Sequence, residues 1–231
     1  MSRSGVVRWT GVLGLAAILA QILAAIVASV AGSAPPVDDP VKFLTFARNS
    51  QLASTTVLML FFIGFSLFIG FIAGLRAIAV AAAPEHEWLA TTVFGAGVVL
   101  TVLGLVGNGL ALAVVGIAAS NHADAAQIRL LFETERLLGG APWLVPSAFY
   151  LGAAGSLGAV TKILPRWLAL AGWIGAVLVM AAAFSAYGAS DPQAFWSVNG
   201  SVTFLAFLPF WVWTLGASVV LVRQGRTDAR R

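Results

Sequence analysis

Long apolar runs separated by short polar breaks dominate the chain. Six of these runs reach about 20 residues, the length that an α-helix needs to cross the hydrocarbon core of a bilayer. The runs extend over Trp9–Ala31, Ser54–Val80, Trp88–Ala119, Leu137–Val160, Leu168–Tyr187 and Ser201–Val222. Four of the breaks contain proline and the other contains the polar run Ser120–Asp124, both of which are typical of turns. The pattern predicts an all-α, polytopic transmembrane bundle with six spans in a single domain.

Two of the connections carry amphipathic patterns of their own. Val41–Leu52 mixes phenylalanine and leucine with charged residues, which is typical of a short helix lying in a membrane interface. In Asp124–Leu138, residues 128, 131, 132 and 135 share one helical face, which is apolar except for Glu135. We expect an interfacial helix in each of these connections.

The first run resembles a cleavable signal peptide because it follows Arg3 and Arg8. Its apolar stretch from Gly11 to Ala31 is longer than the roughly 7–15 residues of a signal-peptide core. We therefore expect a retained membrane helix.

The composition supports a membrane protein and excludes several other classes. Apolar residues make up 60% of the chain and charged residues 10%, whereas an ordinary soluble domain is about 45–50% apolar and about 25% charged. The net charge of +4 is the balance of 13 Lys and Arg residues against nine Asp and Glu residues, and the dispersed basic residues form no basic face for nucleic acid. With no cysteine and two histidines, we predict no metal site and no cofactor.

The positions of lysine and arginine predict the orientation. Cytoplasmic loops carry an excess of these residues. With six spans, one side of the membrane holds Arg3, Arg8, Arg76, Lys162, Arg166, Arg223, Arg226, Arg230 and Arg231, and the other side holds Lys42, Arg48, Arg129 and Arg136. We therefore expect both termini in the cytoplasm and the protein in the plasma membrane.

Small residues recur at four-residue spacing in several spans. The pattern occurs in Ser66–Gly74, Gly152–Ser156 and Gly172–Ala176 and is typical of close helix packing in lipid. The third span contains six glycines, so we expect it to be a central helix. Packing within one chain is favoured over a homo-oligomer seam, which stays as an alternative.

Few polar or amphipathic side chains lie within the spans. Gln21 and Asn108 could orient a ligand carbonyl or hydroxyl, although hydrogen bonds between helices are the more common role of such residues. Trp143, Tyr150 and Trp211 could rim a cavity that is open to the outer leaflet. Trp211 follows a proline in the last span, where aromatic side chains more often fill volume. These five residues are the candidate ligand-binding residues.

Carboxylates near the fourth span are the candidate catalytic residues. Glu135 lies on the apolar face of its predicted helix, and Glu133 and Asp124 are close in sequence. A carboxyl group in apolar surroundings can act as an acid, although such groups more often extend to the headgroups or pair with arginine. No ionisable residue lies near the middle of a span, which argues against an ion-coupled transporter.

The later spans carry a recognisable turn, Leu164-Pro165-Arg166-Trp167-Leu168, after the segment Ala148–Gly155. Over roughly residues 120–231 the chain resembles an uncharacterised family of six-helix bacterial membrane proteins that is common in actinobacteria. The resemblance implies the six-helix architecture, and it implies no particular activity because the family has none established.

Three functions are consistent with these patterns. The first is a small accessory, scaffold or regulatory subunit that packs against a membrane partner, which predicts a groove of small residues and no empty pocket. The alternative is a binder or intramembrane enzyme for an apolar small molecule such as a lipid, quinone or isoprenoid. A transporter or channel is the least favoured, and the sequence leaves open whether the protein is an enzyme.

Overall fold

The computed structural model describes residues 3–32, 40–120, 124–184, 195–196 and 201–228. Regular secondary structure in these ranges is helical. The helices are α1 (Arg3–Ala31), α2 (Pro40–Asn49), α3 (Gln51–Ala82), α4 (Glu87–Ala119), α5 (Ala125–Gly139), α6 (Ala141–Thr161), α7 (Arg166–Ala183) and α8 (Ser201–Asp228), and a short 3₁₀ turn at Pro84–His86 precedes α4.

Six helices of the described chain are long and apolar enough to cross a membrane, which confirms the predicted helical class and the predicted number of long apolar helices. At the fourth span the predicted start, Leu137, falls within the preceding short helix. There α5 ends at Gly139 and α6 begins at Ala141, because Pro142 occupies the first turn of α6, a position where a missing N–H costs no hydrogen bond. The predicted end of the fifth span, Tyr187, lies outside the described residues.

The six long helices form a ring in chain order. Helix α1 packs against α3, α3 against α4, α4 against α6, α6 against α7 and α7 against α8, and α8 closes the ring on α1. Helices consecutive in the chain therefore lie side by side in space, as short connections favour. We call the end of the bundle that carries α2 and α5 the capped end, and the opposite end, where the chain begins, the termini end.

Aromatic side chains from α3, α6 and α8 fill the middle of the ring. Phe68 makes edge-to-face contacts with Tyr150 and Phe210, at centroid distances of 5.5 and 5.1 Å. Trp213 packs edge-on against Tyr150 at 5.6 Å, and its indole nitrogen donates a 3.0 Å hydrogen bond to the carbonyl oxygen of Leu168. Because such geometries add to the energy of burial, this cluster fixes how α8 sits against its neighbours.

Small residues form the seam between α6 and α7, as the sequence pattern predicts. A methyl group on Gly172 would lie 2.8 Å from the carbonyl oxygen of Leu151, and one on Gly155 would lie 2.7 Å from that of Ala169. The two backbones approach too closely for any side chain at these positions. In α3, by contrast, Gly70 and Gly74 pack against α1, whereas Ser66 is exposed.

The prediction that the glycine-rich third span is a central helix is wrong. Gly95, Gly109 and Gly116 of α4 are exposed, and a methyl group on any of them would meet no atom within 4 Å. Gly97 and Gly104 do pack, against Ile72 and Phe65. Helix α4 is thus part of the ring wall, with one face packed and one face of small residues turned outward.

Candidate functional site

Helices α2 and α5 lie together at the capped end, each in a segment where the sequence predicts a helix. Their apolar sides meet those of α4 in a small cluster of buried residues, Phe43, Ala47, Val114, Ala118 and Ile128. The rings of Phe43 and Phe132 make an edge-to-face contact at 5.4 Å. The amphipathic pattern of both segments is therefore explained by burial against the end of the ring.

Arg48 ties α2 to the end of α4. Its Nε donates a 3.1 Å hydrogen bond to the carbonyl oxygen of Ala118, and its Nη2 donates one of 3.3 Å to that of Ser120. The last carbonyl groups of a helix lack partners within the helix, and a cation at this position also interacts favourably with the helix dipole. The guanidinium thus holds α2 in place over the capped end.

A cavity of about 250 Å³ lies beneath these two short helices. It is bounded by the capped-end portions of α1, α3 and α4, and we call it the capped cavity. Its described lining consists of Ala28, Ala31, Gly32, Phe43, Phe46, Ala47, Ser54, Val57, Leu58, Ala111, Val114, Val115, Phe132 and Glu135. Among these residues Glu135 alone is ionisable, and it is half-buried.

A second cavity, of about 410 Å³, opens between α1, α3 and α8. We call it the side cavity. It is lined by Ala25, Ala28, Ser29, Gly32, Phe61, Phe207 and Trp211. Ala28 and Gly32 also line the capped cavity, so only the small residues at the end of α1 separate the two spaces.

Gln21 lies next to the side cavity and is 2% exposed. Its Oε1 accepts a 2.8 Å hydrogen bond from the indole nitrogen of Trp211, which lines that cavity. Gly64 of α3 leaves room for the side chain, because a methyl group there would lie 2.9 Å from Cγ of Gln21. The amide nitrogen, Nε2, is buried and has no hydrogen-bond partner.

Two of the predicted cavity residues, Trp143 and Tyr150, lie elsewhere. They are 2% and 0% exposed within the aromatic core and line neither the capped nor the side cavity. The Tyr150 hydroxyl lies near that of Thr214, but the two do not form a hydrogen bond of ordinary geometry. The expectation that these two rings and Trp211 rim one cavity is not met at either of these cavities, because both rings pack against Phe210 in the aromatic core.

The side-chain amide of Asn108 makes a hydrogen bond within its own helix. Its Nδ2 donates a 2.7 Å hydrogen bond to the carbonyl oxygen of Gly104, one turn earlier in α4. It lines neither the capped cavity nor the side cavity. This contact satisfies the amide locally, so the structure places Asn108 as a half-buried residue of the ring wall.

The three candidate carboxylates do not share the capped cavity. Glu135 lines it, whereas Glu133 and Asp124 are exposed. Asp124 instead lies directly before α5, where its Oδ1 accepts a 3.0 Å hydrogen bond from the backbone nitrogen of Ala126. A pair of carboxyl groups acting as acid and base is therefore not formed by these residues.

The sequence analysis missed most of the cavity lining. Phe43 and Phe46 were visible only as apolar residues in an amphipathic segment, and Ala28 and Ala111 carry no signal at all. In a chain that is apolar throughout, a residue facing a cavity looks the same as one facing a neighbouring helix.

A shallow groove lies on the outer surface of the bundle, between α4, α6 and α7. It measures about 680 Å³ and is lined by apolar and small residues, with Thr92 the most polar of them. Gly152 and Ala176 form its floor where α6 and α7 meet, and Val177 at its edge is 70% exposed. We call it the surface groove.

These features define a class: a helical bundle with six helices long and apolar enough to cross a membrane and two adjoining apolar cavities at its capped end. The chain matches no protein-family model, no curated protein and no solved structure.

Proposed function

We propose that the protein is an integral protein of the plasma membrane, with both termini in the cytoplasm and the capped end on the opposite side. Large apolar side chains on the outward faces support this, among them Leu19 and Val212, which are 58% and 60% exposed. Soluble monomers rarely expose apolar surface on this scale. The excess of lysine and arginine at the termini end supports the orientation.

In that membrane, the protein binds an apolar small molecule at the capped end. The capped cavity carries this proposal, since it is a partly open apolar space beside a half-buried carboxylate, Glu135. Ligand sites are typically concave and mostly apolar, with a few polar groups that orient the ligand. An adjoining side cavity of about 410 Å³ gives such a ligand room for a longer apolar body.

Lipids, isoprenoids and quinones are the ligand classes that fit this lining, because each combines an apolar body with a small polar group. Binding rather than catalysis is the better-supported role. General acid–base chemistry usually needs two groups within reach of one reacting centre, whereas Glu133 and Asp124 are exposed and do not line the cavity beside Glu135. Helix α2, held by Arg48, forms one side of the cavity.

Native mass spectrometry of the protein, extracted gently with its surrounding lipid, tests the binding function. We expect one reproducible small-molecule adduct. Ala111→Phe fills the capped cavity and should abolish the adduct, whereas Ala113→Phe, on the exposed side of the same helix, should retain it. Bare protein with random lipids, or an adduct that survives Ala111→Phe, would overturn the proposal.

A second candidate function is that of an accessory or scaffold subunit for a membrane protein partner, which the surface groove favours. Its small residues would let a partner helix approach closely. In this case Val177→Trp, at the groove, should release a co-purifying subunit, and Val212→Trp, on the exposed face of α8, should not. A second copy of this chain in the groove would appear as a dimer that Val177→Trp dissociates.

A further inference from the structure

The amide group of Gln21 is only half satisfied. Its Oε1 accepts the hydrogen bond from Trp211, while Nε2, with two N–H groups, is buried and has no partner in the described structure. Leaving a buried donor unpaired is unfavourable, and within a bilayer no bulk water is available to compensate. A polar group kept in this state needs an explanation beyond packing.

The position of Gln21 distinguishes it from the other buried polar groups without partners. Those belong to Trp143, Tyr150, Thr214 and Ser218. Gln21 itself lines neither cavity, but it is hydrogen-bonded to a lining residue of the side cavity, Trp211, whereas Trp143 only stacks on another lining residue, Phe207. Nε2 of Gln21 is bonded to the same carbon as Oε1, and Oε1 contacts the indole of Trp211, a lining residue of the side cavity. The unused donor lies close to Gly64 of α3, where a methyl group would be 3.5 Å from it, and it belongs to the amide that is hydrogen-bonded to Trp211 in the wall of the side cavity.

We propose that Nε2 of Gln21 donates a hydrogen bond to a carbonyl oxygen of an apolar ligand in the side cavity. This inference rests on the proposed binding function and narrows its ligand to apolar molecules with a carbonyl group, such as ketones, quinones or esters. Because Gln21 is 2% exposed, the ligand reaches it when the Trp211 indole moves aside.

A matched pair of probes tests the inference: a long-chain ketone with an isotope-labelled carbonyl, and the alkane of the same chain length. Both are titrated into the purified protein, binding is measured, and the infrared band of the labelled carbonyl is recorded. In the wild type we expect the ketone to bind about tenfold more tightly than the alkane, as one added hydrogen bond from a buried donor implies. Its carbonyl band should shift to lower frequency on binding.

Two variants remove the donor in different ways. Gln21→Met keeps the volume without the amide, and Gly64→Ala keeps the amide but displaces it, since the new methyl group would lie 2.9 Å from Cγ. Both should abolish the band shift and the preference for the ketone while leaving alkane binding unchanged. Ser218→Ala, which removes another buried group without a partner, is the control and should change neither quantity.

The outcomes separate this inference from the binding function. Equal affinity of the wild type for ketone and alkane, or a carbonyl band shift that Gln21→Met retains, would overturn the role of Gln21 and leave the apolar cavity as a binding site. Failure of both probes to bind the wild type would overturn both proposals.

Discussion

The indole nitrogen of Trp211 in α8 donates a 2.8 Å hydrogen bond to Oε1 of Gln21 in α1, across 190 residues of sequence. This contact joins the first and the last helix of the ring, at the point where the side cavity opens between them. The hydrogen bond therefore helps to close the ring of helices and also positions Trp211 in the wall of the proposed ligand site.

Trp211→Phe should destabilise the protein by about 1–3 kcal/mol, because it leaves the buried Oε1 of Gln21 without a donor. The double variant Gln21→Leu with Trp211→Phe should be more stable than Trp211→Phe alone, since it removes both polar partners. The free energies of unfolding of the single and double variants, measured in mixed detergent micelles, give the interaction energy between Gln21 and Trp211. Strictly additive effects of the two substitutions would contradict the contact.

Gly172→Ala should destabilise the bundle by about 1–3 kcal/mol, since its methyl group would press on the backbone of α6 and overpacking has costs of this size. Gly109→Ala is the matched control in an open position of α4, where alanine should stabilise the helix by about 0.5–1 kcal/mol. Thermal unfolding in detergent compares the two variants. Equal stability of both would mean that α6 and α7 are not in such close contact.

Arg48→Met should loosen α2 from the capped end, because it removes both hydrogen bonds to the end of α4. The chain contains no cysteine, so Ala47→Cys, at a position that is 5% exposed, is a clean reporter. Its reaction with a maleimide should be faster in the Arg48→Met background. The reaction rate in an Arg48→Lys background should lie between the rates with Arg48 and with Arg48→Met, since lysine keeps the charge without the fork of donors. Identical rates in all three backgrounds would rule out this role for Arg48.

The proposed orientation predicts which sites a membrane-impermeant thiol reagent can reach in intact cells. Asp124→Cys at the capped end should be labelled, whereas Glu85→Cys, in the short connection before α4 at the other end, should be labelled only after lysis. Both positions are exposed, so the difference would report the side of the membrane. The reverse pattern would place the termini outside the cytoplasm.

The sequence by itself determined the helical class and the number of long apolar helices, because run length and proline-bearing breaks are local properties. It also predicted helices over α2 and α5, whose apolar residues recur at helical spacing among charged ones. Small residues at four-residue spacing marked Gly152 and Gly172 for close packing within the bundle, but neither Gly155 nor the pairing of α6 with α7 was predicted.

Only the tertiary structure decided which way each long helix faces. In α4 both faces are apolar, so no periodicity distinguishes the packed glycines Gly97 and Gly104 from the outward Gly95 and Gly109. For the same reason the sequence did not predict that Trp143 and Tyr150 are buried in the core. Nor did it predict that, of the three candidate carboxylates, only Glu135 lines the capped cavity. The contact of Gln21 with Trp211 depends on the rotation of two helices from opposite ends of the chain, and rotation is set by packing rather than by hydropathy.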